Sequence, residues 1–171
     1  MQDLRHPHVV QLIGACMRPP NLCIVLEYMP YSLHDVVHGG QFQVDRKRSI
    51  ALMQDVARAF QYLHARRPAV VHRDIKPPNF LVDRAWRVKL CDFGLAANSA
   101  AQRGAGTPAY MAPELHAGGS YNEKVDVYAF GVMCWELMAR QMPFDGVSPA
   151  DIRSRVMDGA CVGVALPLCV A

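Results

Sequence analysis

The sequence predicts an α+β fold, and three observations predict it. Short apolar runs at residues 9–14 and 22–26 flank Pro19-Pro20-Asn21, the pattern of two neighbouring strands joined by a turn. Between residues 45 and 65, apolar side chains recur at three- and four-residue steps, as on one face of a helix. Residues 125–139 are apolar on most faces, as in a helix buried at the centre of a larger body.

The remaining elements follow in chain order. Glu27-Tyr28-Met29-Pro30 ends the second strand. Residues 32–38 suit a short helix, which Gly39 and Gly40 stop. That helix holds His34 and His38 four apart, a spacing that can also ligate metal. A zinc hydrolase places Glu where Asp35 stands and needs a third ligand, so the sequence favours a solvated helix face. His6 and His8 flank Pro7 and carry no ligand geometry. Asp45 is placed to cap the long helix, with Ile50, Met53, Val56, Ala57, Phe60 and Leu63 as its core stripe. Val70–Val71, Phe80–Val82 and residues 88–91 read as short strands, and Pro149–Met157 as a last short helix. No repeat or low-complexity segment interrupts the chain.

Size and composition bound the function. The 171 residues suffice for one good core. With 51% hydrophobic and 19% charged residues the chain is globular rather than disordered. A net charge of +3 gives no case for binding nucleic acid or an anionic membrane. No apolar stretch reaches the ~20 residues of a membrane span, and no leader-like apolar run follows Met1. Cys16, Cys23, Cys91, Cys134, Cys161 and Cys169 form no Cys-x-x-Cys pair and read as reduced thiols, which places the chain in the cytoplasm.

The chemistry lies in four motifs. Residues 72–79 read His-Arg-Asp-Ile-Lys-Pro-Pro-Asn, and Asp92-Phe93-Gly94 begins eighteen residues after Asp74. Gly106-Thr107-Pro108-Ala109-Tyr110-Met111-Ala112-Pro113-Glu114 comes third and Asp126-Val127-Tyr128-Ala129-Phe130-Gly131-Val132 fourth. Phosphoryl transfer from a nucleotide needs a carboxylate to orient the accepting hydroxyl, oxygen ligands for magnesium, and a cation near the migrating charge. Asp74, Asn79, Asp92 and Lys76 are the right residue types. Singly, each motif is weak and each residue reads as a surface charge. In this order and spacing they resemble the eukaryotic protein kinase superfamily over about residues 1–158.

The resemblance implies a protein-kinase-like fold. Residues 1–29 match the end of the small lobe and the hinge, a remnant of its sheet, and residues 30–159 the mostly helical large lobe. Residues 160–171 form an atypical apolar tail. It implies ATP and Mg2+ as cofactors, and protein serine or threonine hydroxyls as substrate. Asp74 would accept the substrate hydroxyl's proton, Lys76 would sit by the γ-phosphate, and Asn79 and Asp92 would hold magnesium. Glu27 and Met29 would meet the adenine edge with Leu26 gating the rear pocket. Leu81 would lie under the adenine and Cys91 behind it, either as an inert buried thiol or as one that electrophiles reach. His72 and Phe93 would join Leu12 and Met1 in an internal column. Lys76 with Gly106-Thr107-Pro108 points to serine/threonine rather than tyrosine substrates, with Thr107 bonded to Asp74 and Lys76. Arg73 could dock a phosphate on the activation loop, where Ser99 is the only hydroxyl between Gly94 and Thr107. The segment from Leu4 to Cys16 looks most like the tyrosine-kinase-like group of serine/threonine kinases.

Some family features have no counterpart in the 171 residues. Leu4-Arg5-His6-Pro7-His8 is similar to the end of the small-lobe helix, so the chain begins inside that lobe. It contains no glycine-rich loop, strand lysine or helix glutamate. No arginine follows Arg155 to pair with Glu114. The expectation is a kinase domain truncated at both ends and inactive by itself. The alternative is a catalytically inactive kinase-like fragment that binds protein partners. Nothing in the sequence sets an oligomeric state.

Overall fold

A computed structural model describes residues 4–98, 106–160 and 162. The chain gathers into two compact units. One takes the described residues up to Tyr62 together with Pro78–Phe93, and the other Leu63–Pro77 together with the described residues from Gly94 on.

In the first unit, β1 (Leu12–Cys16) pairs antiparallel with β2 (Cys23–Leu26), with Leu12 opposite Leu26 and Cys16 opposite Cys23. The turn forms where Pro19-Pro20-Asn21 predicts it, and the Asn21 N–H donates to the Arg18 carbonyl at 3.0 Å. β1 starts later than the expected run at residues 9–14. Val9 and Val10 are instead buried beside β6 (Val88–Leu90), where the Val10 N–H donates to the Leu90 carbonyl at 2.9 Å. A second sheet has the order β3 (Tyr31–Ser32), β5 (Phe80–Val82), β6. Ser32 caps α1 (Leu33–His38) through a capping box with Asp35, and these bonds hold the Asp35 carboxyl below its usual range. Leu33, Val36 and Val37 face inward, and His34 and His38 are half-buried rather than fully solvated.

Asp45 caps α2 (Arg46–His64) by accepting from the Arg48 N–H at 2.7 Å. The buried stripe of α2 is Ser49, Leu52, Val56, Ala59, Phe60 and Leu63. Ile50 and Ala57, expected in the core, are exposed. Ser49 and Ala59 are buried in their place, which turns the stripe by about one residue round the helix. Phe60 packs edge-on against Phe80 with ring centroids 6.0 Å apart. His8 binds the chain to this core, its Nδ1 2.9 Å from the Val88 carbonyl oxygen.

In the second unit, β4 (Val70–Val71) pairs with β7 (Ala97–Asn98), a strand with no signal in the sequence. Val71, Met111, Ala112, Leu115 and Val125 form a buried cluster, flanked by Tyr121 and Tyr128. Helix α3 (Pro113–Ala117) ends at Gly118, whose φ of +69° closes it. It lies against α5 (Pro149–Met157), which Ser148 caps. α4 (Lys124–Ala139) has the expected apolar surface. Among the described residues no helix is long and apolar enough to cross a membrane. Met1, Ser99, Cys161, Cys169 and nearly all of the apolar tail lie outside the described residues.

Candidate catalytic site

The predicted site residues fall into two groups, one in each unit. In the second unit β4 leads straight into His72-Arg73-Asp74, and a single buried carboxylate shapes that turn. Asp126, in the first turn of α4, is fully buried. Its Oδ2 accepts from the His72 N–H at 2.9 Å and lies 2.9 Å from His64 Nε2, while Oδ1 accepts from the Arg73 N–H at 2.8 Å. Backbone amides that a tight turn would otherwise orphan are thereby satisfied. Arg73 adopts φ +69°, a left-handed conformation that a non-glycine residue keeps only when its surroundings hold it there. Its guanidinium donates through Nε to the Leu95 carbonyl at 2.6 Å, again through Nη2 to the same oxygen, and through Nη1 to the Tyr121 hydroxyl at 3.1 Å. These bonds engage the side chain expected to dock a phosphate.

Beyond the turn, Asp74, Lys76 and Thr107 close a three-way contact. Lys76 Nζ is 2.8 Å from Asp74 Oδ2 and donates to Thr107 Oγ1 at 2.8 Å. The Thr107 hydroxyl donates to Asp74 Oδ1 at 2.7 Å. Asp74 is largely buried, so its carboxylate is oriented rather than mobile. Gly106 permits this approach. It has φ +141°, and a Cβ there would lie 2.9 Å from the Arg73 carbonyl oxygen.

Two residues without an expected role support this segment. The Tyr110 hydroxyl donates to Glu136 Oε2 at 2.6 Å, and Glu136 is fully buried on α4. Burial, and then the Glu136 carboxylate, push the Tyr110 phenol far above its ordinary value. The unfolded chain loses this proton near pH 10, whereas the folded chain keeps it. The contribution to stability is therefore complete below that pH and declines above it. An absorbance titration should show Tyr110 un-ionised until the chain unfolds in alkali. Tyr110→Phe should remove about 1.5–3 kcal/mol of stability in urea denaturation, as for a hydrogen bond to a charged group. Glu114, in the first turn of α3, is half-buried.

In the first unit the hairpin β5–β6 organises the other group. Phe80 pairs with Leu90, Leu81 with Lys89, and the Cys91 N–H donates to the Asn79 carbonyl at 2.9 Å. Asn79 and Asp92 thus sit at the same end of the hairpin, with Asp92 at φ +58°. Phe80, Val82, Val88 and Leu90 take the buried face, leaving Leu81, Lys89 and Cys91 on the other. Lys89 Nζ donates to both Glu27 oxygens at 2.8 and 2.7 Å, which brings Glu27 to the face of Leu81. The Glu27 N–H also donates to the Gln11 carbonyl at 3.0 Å. Leu26 ends β2 with partial exposure, and Met29 is half-buried just beyond it. Burial, and then the Asp92 carboxylate, push the Cys91 thiol up to about 11, so the half-buried group stays a thiol at neutral pH.

The donors fit the expected cofactors. Asn79 and Asp92 supply neutral and anionic oxygen, the hard ligands magnesium prefers. The face of Leu81 offers apolar surface beside polar backbone, as a nucleobase requires.

The protein kinase domain family matches residues 1–165. Serine/threonine-protein kinase CTR1 of Arabidopsis thaliana is 45% identical over 164 residues, which cover 91% of this chain and 20% of that protein. Probable serine/threonine-protein kinase drkA of Dictyostelium discoideum is 42% identical, covering 89% and 24%. Probable serine/threonine-protein kinase SIS8 of Arabidopsis thaliana is 43% identical, covering 89% and 15%. The chain therefore spans about a fifth of the length of these curated relatives.

Proposed function

The chain belongs to the protein kinase domain family, and on that premise we propose that it is the catalytic-loop portion of a protein serine/threonine kinase. Residues 1–29 end its small lobe and hinge, and residues 30–159 belong to its large lobe. The observation that carries this reading is the closed contact of Asp74, Lys76 and Thr107. It holds one carboxylate beside one cation. Asp74 orients the substrate hydroxyl and takes its proton late in the transfer, so positioning matters more than basicity. Lys76 offsets charge that develops on the migrating group. Thr107 fixes both side chains and leaves them no freedom to lose at the moment of reaction. Asn79 and Asp92 hold magnesium. Leu81, Cys91 and Leu26 line the adenine pocket, and the backbone of Glu27 and Met29 meets the adenine edge. When bound, MgATP supplies the phosphoryl group and a divalent charge that neutralises its oxygens. The reading includes a protein substrate and a cytoplasmic location.

The test is phosphoamino-acid analysis after incubating the full-length protein with labelled ATP, magnesium and a mixed protein substrate. Phosphoserine and phosphothreonine without phosphotyrosine are expected. The isolated 171 residues contain no strand lysine to anchor phosphates, which by itself costs roughly two to three orders of magnitude in rate. Robust transfer by the isolated chain, lost in Asp74→Asn, would overturn the expectation that it is inactive. Absence of transfer by the full-length protein would favour the partner-binding alternative.

A further inference from the structure

Two cysteines that belong to no motif face each other across a hairpin. Cys16 ends β1, Cys23 begins β2, and the register sets them directly opposite. Opposed residues in an antiparallel pair point to the same face, with Cα atoms about 4.5–5.5 Å apart. Disulfide-bonded cysteines span about 4.4–6.8 Å, so a bond fits without separating or sliding the strands. Both thiols are free; Cys23 is exposed and Cys16 half-buried. Gly14 and Val25, the next pair on that face, leave it open, since nothing lies within 4 Å of where a Gly14 Cβ would stand. Cys91 and Cys134 differ. Each is held as a thiol by burial, which pushes its pKa up to about 11.

We propose that Cys16 and Cys23 form a redox couple, closing a reversible disulfide across the hairpin by exchange with a low-molecular-weight disulfide such as glutathione disulfide. The Cys23 thiolate, its proton released to water, attacks one sulfur of the oxidant. The oxidant's S–S bond breaks, and one glutathione leaves as thiolate and takes up a proton. The Cys16 thiolate then attacks the Cys23 sulfur, and the second glutathione leaves in the same way. Two protein thiols are oxidised and one glutathione disulfide is reduced to two thiols. The second step is fast because both sulfurs already share one face, which makes it intramolecular. The bond staples β1 to β2 on the strand that runs on to Leu26 and Glu27. This proposal does not depend on phosphoryl transfer.

The reduced chain is exposed to glutathione disulfide, its remaining thiols are alkylated, and it is digested with trypsin. Arg18 precedes Pro19, which blocks cleavage there, so one peptide from His6 to Arg46 carries both cysteines. That peptide is expected to be unalkylated and two hydrogens lighter, with Cys91 and Cys134 fully alkylated. In Cys16→Ser a stable glutathione adduct should remain on Cys23. In denaturant the wild-type mixed disulfide should accumulate roughly tenfold or more, because the pre-aligned second step is lost. Persistent glutathione adducts on folded wild type, bonds from either cysteine to any other or between chains, or a peptide that stays reduced would each overturn the proposal.

Discussion

Replacing Asp126 with alanine is expected to destabilise the chain by about 3–5 kcal/mol, the usual cost of removing one partner from a buried charged network. The size of the effect follows from what the carboxylate does. It is fully buried and accepts from two backbone amides, His72 and Arg73, besides lying against His64. Alanine would leave those amides without their acceptor in a space closed to water. Asp126→Asn keeps the volume and one acceptor but turns an N–H2 group towards donors, so a smaller loss of about 1–3 kcal/mol is expected. Urea denaturation of the three proteins, compared through midpoint at constant slope, measures both values. Losses under about 1 kcal/mol for alanine, an ordinary value for a single substitution, would show that the turn does not depend on Asp126. The same bonds hold Arg73 in its left-handed conformation, and this sets the direction of Asp74 one residue later. Alanine at 126 should therefore damage the site as well as the fold.

Asp126 also marks where sequence reading reached its limit. Its motif was recognisable, but its role was not assigned. A signal was present, since an ionisable residue inside an otherwise apolar helix must have a partner. Glu136 carries the same signal on α4, and its partner Tyr110 lies in a motif already singled out. Spacing alone did not connect them, because the contacts are long-range. Local elements were legible where local chemistry sets them. α5 runs from Pro149 to Met157 as read, with Pro149 in its first turn and Ser148 as cap. α1 begins at its Ser32 capping box. The reading failed where distant residues decide. Val9 and Val10 read as strand β1, yet they are buried beside β6, eighty residues away. The α2 stripe was misplaced because Ser49 and Ala59 carry little hydrophobicity although both are buried, whereas Ile50 and Ala57 look like core and are not. Cys16 and Cys23 look unrelated by spacing. Only the register imposed by the Pro-Pro turn makes them neighbours.

Asp74→Asn is expected to lower phosphoryl transfer by the full-length protein roughly 10²–10⁴-fold, the range for a positioned general base. The substitution is narrow. The asparagine amide oxygen can still accept from the Thr107 hydroxyl, so shape and packing persist, and the folded state should lose little stability. What goes is the second anionic oxygen, now 2.8 Å from Lys76 Nζ, together with the ability to take a proton. Loss of an interaction that matters only during the reaction lowers kcat and leaves KM for ATP nearly unchanged. Asp92→Asn should behave differently. Asp92 belongs to the group at the end of the β5–β6 hairpin, with the oxygen donors read as magnesium ligands, so its loss should raise the magnesium concentration needed for half-maximal rate. The two variants therefore separate proton handling from metal holding. If Asp74→Asn leaves the rate intact, the three-way contact with Lys76 and Thr107 is only a structural clasp. The protein would then owe its kinase-like catalytic loop to folding, because Asp126 and Arg73 would organise that segment whether or not Asp74 touched a substrate.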